Sequence, residues 1–241
     1  MTGLRLALGF LTTVPVRMAA PQPGDLGRAA LWFPLIGLVV GVLVAGAKCL
    51  LDAIFPPFLA ATLTVGLWAA LTGGLHLDGL ADCCDSLPAA VSPERRLEIM
   101  RDPRLGAFGG IGLLLHLLLK IGAVMALPGA CAVTPFVLAA TAARWLILPV
   151  ARQPSARPGG LGASFALGLT RRVLALAALL PLALALLGGA HAVLALSLAG
   201  LMTFGIVRLA RARLGGVTGD VFGLTVEVAE LAVLLTYAVQ R

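Results

Sequence analysis

Thr72-Gly73-Gly74-Leu75-His76-Leu77-Asp78-Gly79-Leu80-Ala81-Asp82-Cys83-Cys84-Asp85 holds three of the chain's 11 acidic residues. It ends an apolar run, Phe58 to Leu75, and sets three carboxylates immediately after it. As a helix it carries Asp78, Asp82 and Asp85 at i, i+4 and i+7, on one face. Like charges on one face repel, so a solvated surface gains nothing from the arrangement, and a divalent cation relieves it. Donor atoms that are all oxygen suit Mg²⁺, which takes one or two carboxylates and completes its shell with water and substrate phosphates. Asp78, Asp82 and Asp85 are therefore the candidate metal ligands, and Gly73, Gly74 and Gly79 let a ligand approach the backbone. The competing reading is a polar helix start with acids at its positive dipole end.

The rest of the chain is apolar. Of 241 residues 60% are hydrophobic and 12% charged, with a mean hydropathy of +1.02, where a soluble domain has about 25% charged residues. The apolar residues come in blocks of about 20, enough for a helix to cross the hydrocarbon core. The expected fold is all-α: a polytopic membrane bundle of about seven transmembrane helices, one domain over residues 1–241. The expected spans are Ala29–Leu51, Phe58–Leu75, Leu105–Leu127, Ala130–Val150, Val173–Leu187, Ala192–Val207 and Val221–Val239. Leu4 to Val16 is too short to span and reads as an interfacial or re-entrant segment. Met1 to Ala20 lacks a convincing cleavage site for a signal peptide. The cysteines Cys49, Cys83, Cys84 and Cys131 have no zinc spacing and are expected to be reduced thiols.

The net charge of +7 does not point to nucleic acid, because the basic residues sit in loops between apolar runs. With seven spans, 14 of the 18 basic residues fall on one side, in the N-terminal segment and in polar loops near 77–104, 151–172 and 208–220. That asymmetry places the loops in the cytoplasm, so every candidate motif shares one face. Ser92-Pro93-Glu94 reads as a helix start inside the first loop.

Arg101-Asp102-Pro103-Arg104 precedes a glycine-rich start of the third span. Its guanidiniums match phosphate oxygens, and free amides at a helix start add to them; simple positive-inside anchoring is the alternative. Arg157-Pro158-Gly159-Gly160-Leu161-Gly162-Ala163-Ser164 is a second glycine-rich loop with an arginine, for which a simple flexible loop is the alternative. Leu214-Gly215-Gly216-Val217-Thr218-Gly219-Asp220 ends in a carboxylate, for which an N-cap role is the alternative. The candidate substrate-binding residues are thus Gly73, Gly74, Arg101, Arg104, Arg157, Gly160, Gly162 and Asp220. Within the spans lie Lys120, Arg144, Glu227 and Glu230, with His116 one turn before Lys120. Glu227 and Glu230 share a face and are expected to pair with Lys120 or Arg144 and hold the bundle.

The first motif, the Glu98-to-Gly106 run, Gly160-Leu161-Gly162 and the Leu214-to-Asp220 run together resemble the cobalamin synthase family, in the family's order and over nearly the whole chain. Pro103 and the Cys83-Cys84 pair depart from its usual residues. The resemblance implies that adenosylcobinamide-GDP is joined to α-ribazole or its 5′-phosphate, releasing GMP, with Mg²⁺ as cofactor. It implies metal-binding roles for Asp78 and Asp82, and a further ligand or base in Asp85 or Asp102. A CDP-alcohol phosphotransferase is a weaker match, because Asp78-Gly79 is followed by Leu80-Ala81-Asp82 instead of two residues and Ala-Arg. An ion-coupled transporter would place its charges near the bilayer midplane. The oligomeric state, including a homo-oligomer, stays open.

Overall fold

Lipid offers no hydrogen bonds, so apolar runs of this length must satisfy their backbone internally. The computed structural model is accordingly helical, with no strand among the described residues; it describes residues 2–16, 22–127, 129, 132–157 and 159–239. The helices are α1 (Thr2–Leu11), α2 (Asp25–Ala29), α3 (Phe33–Asp52), α4 (Pro57–Leu71), α5 (Leu75–Ser86), α6 (Pro93–Ile99), α7 (Ala107–Met125), α8 (Val133–Ala151), α9 (Leu161–Gly168), α10 (Arg171–Leu187), α11 (Gly189–Leu214) and α12 (Gly219–Ala238). A 3-10 turn joins α2 to α3, so Asp25–Asp52 is one apolar span of 28 residues. Among the described residues five helices are long and apolar enough to cross a membrane, and seven spans result if each of two bent pairs, α4 with α5 and α9 with α10, counts as one. The chain is a multi-pass membrane protein of helical-bundle type.

Several expected boundaries move. The second span stops at Leu71, because Gly73 and Gly74 both take left-handed φ angles, 65° and 68°, and turn the chain by 94° into α5. Only glycine enters that region without a Cβ clash. The loop expected at 208–220 is mostly helix: α11 continues through Arg208, Arg211 and Arg213 to Leu214, and Gly215 (φ 76°) ends it. Arginine is a good helix former, and its stem lies along apolar surface while its head reaches water. The Ser92 signal holds: its hydroxyl accepts from the Arg95 amide at 3.3 Å and starts α6. Cys83 and Cys84 are free, but Cys49 is disulfide-bonded, which corrects the expectation of four thiols; Cys131, like Pro128, Ala130, Pro158 and Arg241, lies outside the described residues.

The bundle closes around α8 and α12. Most of α8 is buried, whereas α7 and α11 present leucines outward. Between α7, α8 and α12 lies the charge cluster. Lys120 Nζ donates to Glu227 Oε2 at 2.7 Å and to Glu230 Oε2 at 2.5 Å, His116 Nε2 meets Glu227 Oε2 at 2.8 Å, and Arg144 pairs with Glu230. Lys120 Nζ also stands 4.6 Å from the centre of the Trp68 ring. Both expected pairings are therefore made, each buried.

Candidate active site

The acidic helix α5 is aimed by its two ends. At its start the Gly73-Gly74 turn directs it away from α4. At its end the Asp85 carboxylate accepts from the backbone amides of Gly106 and Gly109, each at 2.8 Å, and so caps α7. These amides are unsatisfied within α7, and a carboxylate at this dipole end is stabilising. Both oxygens of Asp85 thus already hold the start of the third span.

Midway, α5 crosses α12 at glycines. A Cβ on Gly79 would come within 2.7 Å of the Asp220 carbonyl oxygen, and one on Gly223 within 2.9 Å of that of His76. The close approach brings Asp220 beside the α5 carboxylates. The cap of α12 is not Asp220 but Thr218, whose hydroxyl accepts from the Val221 amide at 3.4 Å and meets the Asp220 carboxylate at 3.1 Å.

Asp220 also stands 3.5 Å from Arg157 Nη1. The reason is a short parallel bridge: Ala156 N donates to Val217 O at 2.9 Å, and Val217 N to Pro154 O at 2.8 Å. Arg157 Nη2 donates in turn to Leu97 O of α6 at 3.2 Å. Three polar segments far apart in sequence therefore meet at one end of the bundle. Arg96, unremarked in the sequence, is buried and ties α6 to the end of α11 through the carbonyls of Ala89 (2.7 Å) and Arg213 (3.2 Å). Nothing in its local sequence distinguishes it from the exposed Arg95.

Between α5 and the 100–106 segment runs a polar cleft of about 330 Å³, walled by Asp78, Asp82, Arg101, Asp102 and Arg104. A neighbouring cleft of about 310 Å³ continues past Asp85 and Arg95. Arg104 donates to both oxygens of Asp102, at 2.9 and 2.6 Å, and holds that carboxyl down at about 2. Arg101 is exposed at the cleft. Gly160 begins α9 and Gly162 is buried beside Phe222; neither lines these clefts. Asp82 is pushed up to about 7, first by its burial and then by the carboxylates of Asp220, Asp78 and Asp85, with Arg157 opposing.

Asp82 thus faces an excess of negative charge made of oxygen donors alone. No preformed cage of three His, Cys, Asp or Glu side chains exists among the described residues. That donor set fits a Mg²⁺ ion, which needs one or two carboxylates and draws its remaining ligands from water and substrate.

A family model described as cobalamin-5-phosphate synthase matches residues 3–238. The chain is 46% identical over 242 residues to an adenosylcobinamide-GDP ribazoletransferase of Pseudomonas paraeruginosa, covering 99% of this chain and 98% of that one. It is 44% identical over 248 residues to the protein of that name from Stutzerimonas stutzeri, covering 100% and 99%. With that from Deinococcus radiodurans it shares 44% over 239 residues, covering 97% and 84%. No solved structure matches. Family match and full-length identity agree with the motifs assembled at one end of the bundle: the chain belongs to the cobalamin-5-phosphate synthase family.

Proposed function

We propose that the chain is an adenosylcobinamide-GDP ribazoletransferase of cobalamin biosynthesis, acting at the cytoplasmic face of a bacterial inner membrane. It joins adenosylcobinamide-GDP to α-ribazole or its 5′-phosphate, giving adenosylcobalamin or its 5′-phosphate and GMP. The observation that carries this reading is the cleft itself, where the carboxylates of α5 face Arg101 and Arg104 at the edge of a membrane bundle. The orientation is supported by the polar segments gathering at one end while the disulfide-bonded Cys49 lies near the far end of α3, disulfides persisting in oxidising compartments.

The reaction is phosphoryl transfer to a hydroxyl, where positioning and electrostatics dominate. The acceptor hydroxyl attacks the phosphorus bonded to cobinamide, the bond from that phosphorus to the GMP oxygen breaks, and the hydroxyl proton passes to a carboxylate. Arg101, exposed at the cleft, holds a phosphate. Arg104 does so as well, exchanging Asp102 for the substrate anion or sharing its five donors between them. Asp78 and Asp82 would hold Mg²⁺, with Asp220 facing them from α12 and Asp85 fixing α5 to α7. Bound there, Mg²⁺ supplies positive charge to the pyrophosphate and the leaving GMP. Asp102 takes the proton once Arg104 turns from it to the substrate anion, since Asp78 and Asp82 would hold Mg²⁺ and the α7 amides occupy Asp85. Arg157 and Asp220 keep the second and third polar segments against α5.

The test is to supply purified protein with adenosylcobinamide-GDP, α-ribazole and Mg²⁺ and to follow GMP. Stoichiometric GMP with the ribazole oxygen retained in the new phosphodiester supports the reading. GDP release, or nucleotide release independent of ribazole, overturns it.

A further inference from the structure

A second, apolar pocket lies on the other side of Asp78. It measures about 120 Å³ and is walled by Phe10 of α1, His76 and Gly79 of α5, Ile147 of α8 and Phe222 of α12, with Asp78 and Asp220 at its polar edge. Asp78 borders both this pocket and the arginine-walled cleft. Resting on the transfer reaction proposed above, we infer that this pocket receives the fused aromatic base of the acceptor nucleoside and that His76 presents a ring nitrogen to it.

Size makes the first selection. A cavity of roughly 150 Å³ accommodates one benzene ring, so this one takes the inner ring of a two-ring base, the second ring lying in its mouth. A corrin macrocycle is far too large. Polarity makes the second selection. Guanine carries donors and acceptors around its whole edge, and burying them unpaired against phenylalanine and isoleucine is costly. A benzimidazole has apolar edges and, once one ring nitrogen carries the ribose, a single free nitrogen. His76 is the polar residue of the lining away from the carboxylates; it is buried, and its Nδ1 is closed to solvent with no hydrogen-bond partner, so a turn of the ring is what brings that nitrogen to the base. Buried polar atoms are nearly always paired, so an unpaired one asks for a ligand or a water.

The walls are held firm. Phe10 stacks on Phe33 at 5.7 Å, Phe33 meets Phe165 at 5.7 Å, and Phe165 meets Phe222 at 5.8 Å, a run of rings that starts and ends in the pocket wall. A flat base slipped between Phe10 and Phe222 gains offset or edge-on ring contacts. Its ribose then lies at Asp78, between the acceptor and the phosphates of the donor.

Acceptor kinetics test this with the full chain in detergent, using adenosylcobinamide-GDP as donor and the ribosides of dimethylbenzimidazole and the larger naphthimidazole as acceptors. Phe10→Ala should raise kcat/KM for the naphthimidazole riboside relative to α-ribazole by on the order of tenfold, since it widens the rim. His76→Leu should raise the acceptor KM by about tenfold with the donor KM within twofold, as expected for one lost hydrogen bond. His76→Gln should recover part of that loss, which a merely structural role would not predict. The unchanged donor KM reports an intact fold, and Phe10→Leu serves if Phe10→Ala does not purify. Acceptor KM and acceptor preference unmoved in all these variants would place the base elsewhere and overturn the inference while leaving the transferase reading intact. A wild-type protein that forms no GMP with any riboside would remove that reading and the pocket assignment with it.

Discussion

Gly79 and Gly223 meet backbone to backbone: a Cβ on either would lie 3.1 to 3.2 Å from the other's Cα. This contact sets the distance between α5 and α12, and hence between Asp220 and the α5 aspartates. Gly223→Ala should therefore push the helices apart. Overpacking of this kind costs about 1–3 kcal/mol, and a displacement of about 1 Å in a catalytic group can cost about a hundredfold. Turnover per folded molecule should fall roughly that far, with a modest loss of thermal stability in detergent. Wild-type turnover in Gly223→Ala would show that the crossing does not set the site.

Asp78→Asn and Asp82→Asn should each abolish turnover while the protein still inserts and purifies, because each removes a carboxylate from the proposed Mg²⁺ site. Excess Mg²⁺ should not restore the rate fully. Activity near wild type in either variant assigns that aspartate to structure.

Asp82 links pH to stability. Its carboxyl is raised from the ordinary 3.8 to about 7, so between these values the folded chain keeps a proton that the unfolded chain has lost. Stability of the metal-free protein should consequently fall as pH rises through that window and level off above it. Mg²⁺ needs the deprotonated form, so the rise in melting temperature on adding Mg²⁺ should grow from pH 5 to pH 8. A Mg²⁺ effect independent of pH, or one retained in Asp82→Asn, would contradict this.

Glu230 accepts from both Lys120 and Arg144, and Glu227 from Lys120. Neutralising one member of a buried pair leaves the other charge uncompensated, at a cost of about 3–5 kcal/mol. Glu230→Gln should thus lower thermal stability in detergent more than Glu227→Gln, and both should keep most of their rate per folded molecule. A stable but inactive variant would move these glutamates into the chemistry.

Orientation is open to a labelling experiment. A membrane-impermeant thiol reagent added to intact cells should modify Gly129→Cys and not Arg95→Cys, an exposed position on α6. The reverse pattern would place the aspartates outside the cytoplasm.

Much of this protein was legible in the residues alone. Hydropathy dictates helices, because a backbone in lipid must bond to itself. The spacing of Asp78, Asp82 and Asp85 dictates one acidic face, because 3.6 residues make a turn. Ser92-Pro93 marks its own helix start, a local effect of one hydroxyl on one amide. What lay beyond reach depends on contacts between distant segments. Gly73 and Gly74 could be read as places for a ligand to approach, but only their φ angles show that they turn α4 into α5. Asp85 looked equivalent to Asp78 and Asp82, yet the amides of α7 occupy its oxygens. Arg157 joins Asp220 because Ser155 and Val217 share a bridge, and His76 lines a pocket whose other walls come from α1, α8 and α12. Local pattern determines which face of a helix is polar; which polar groups then meet is decided by where glycine lets two helices touch.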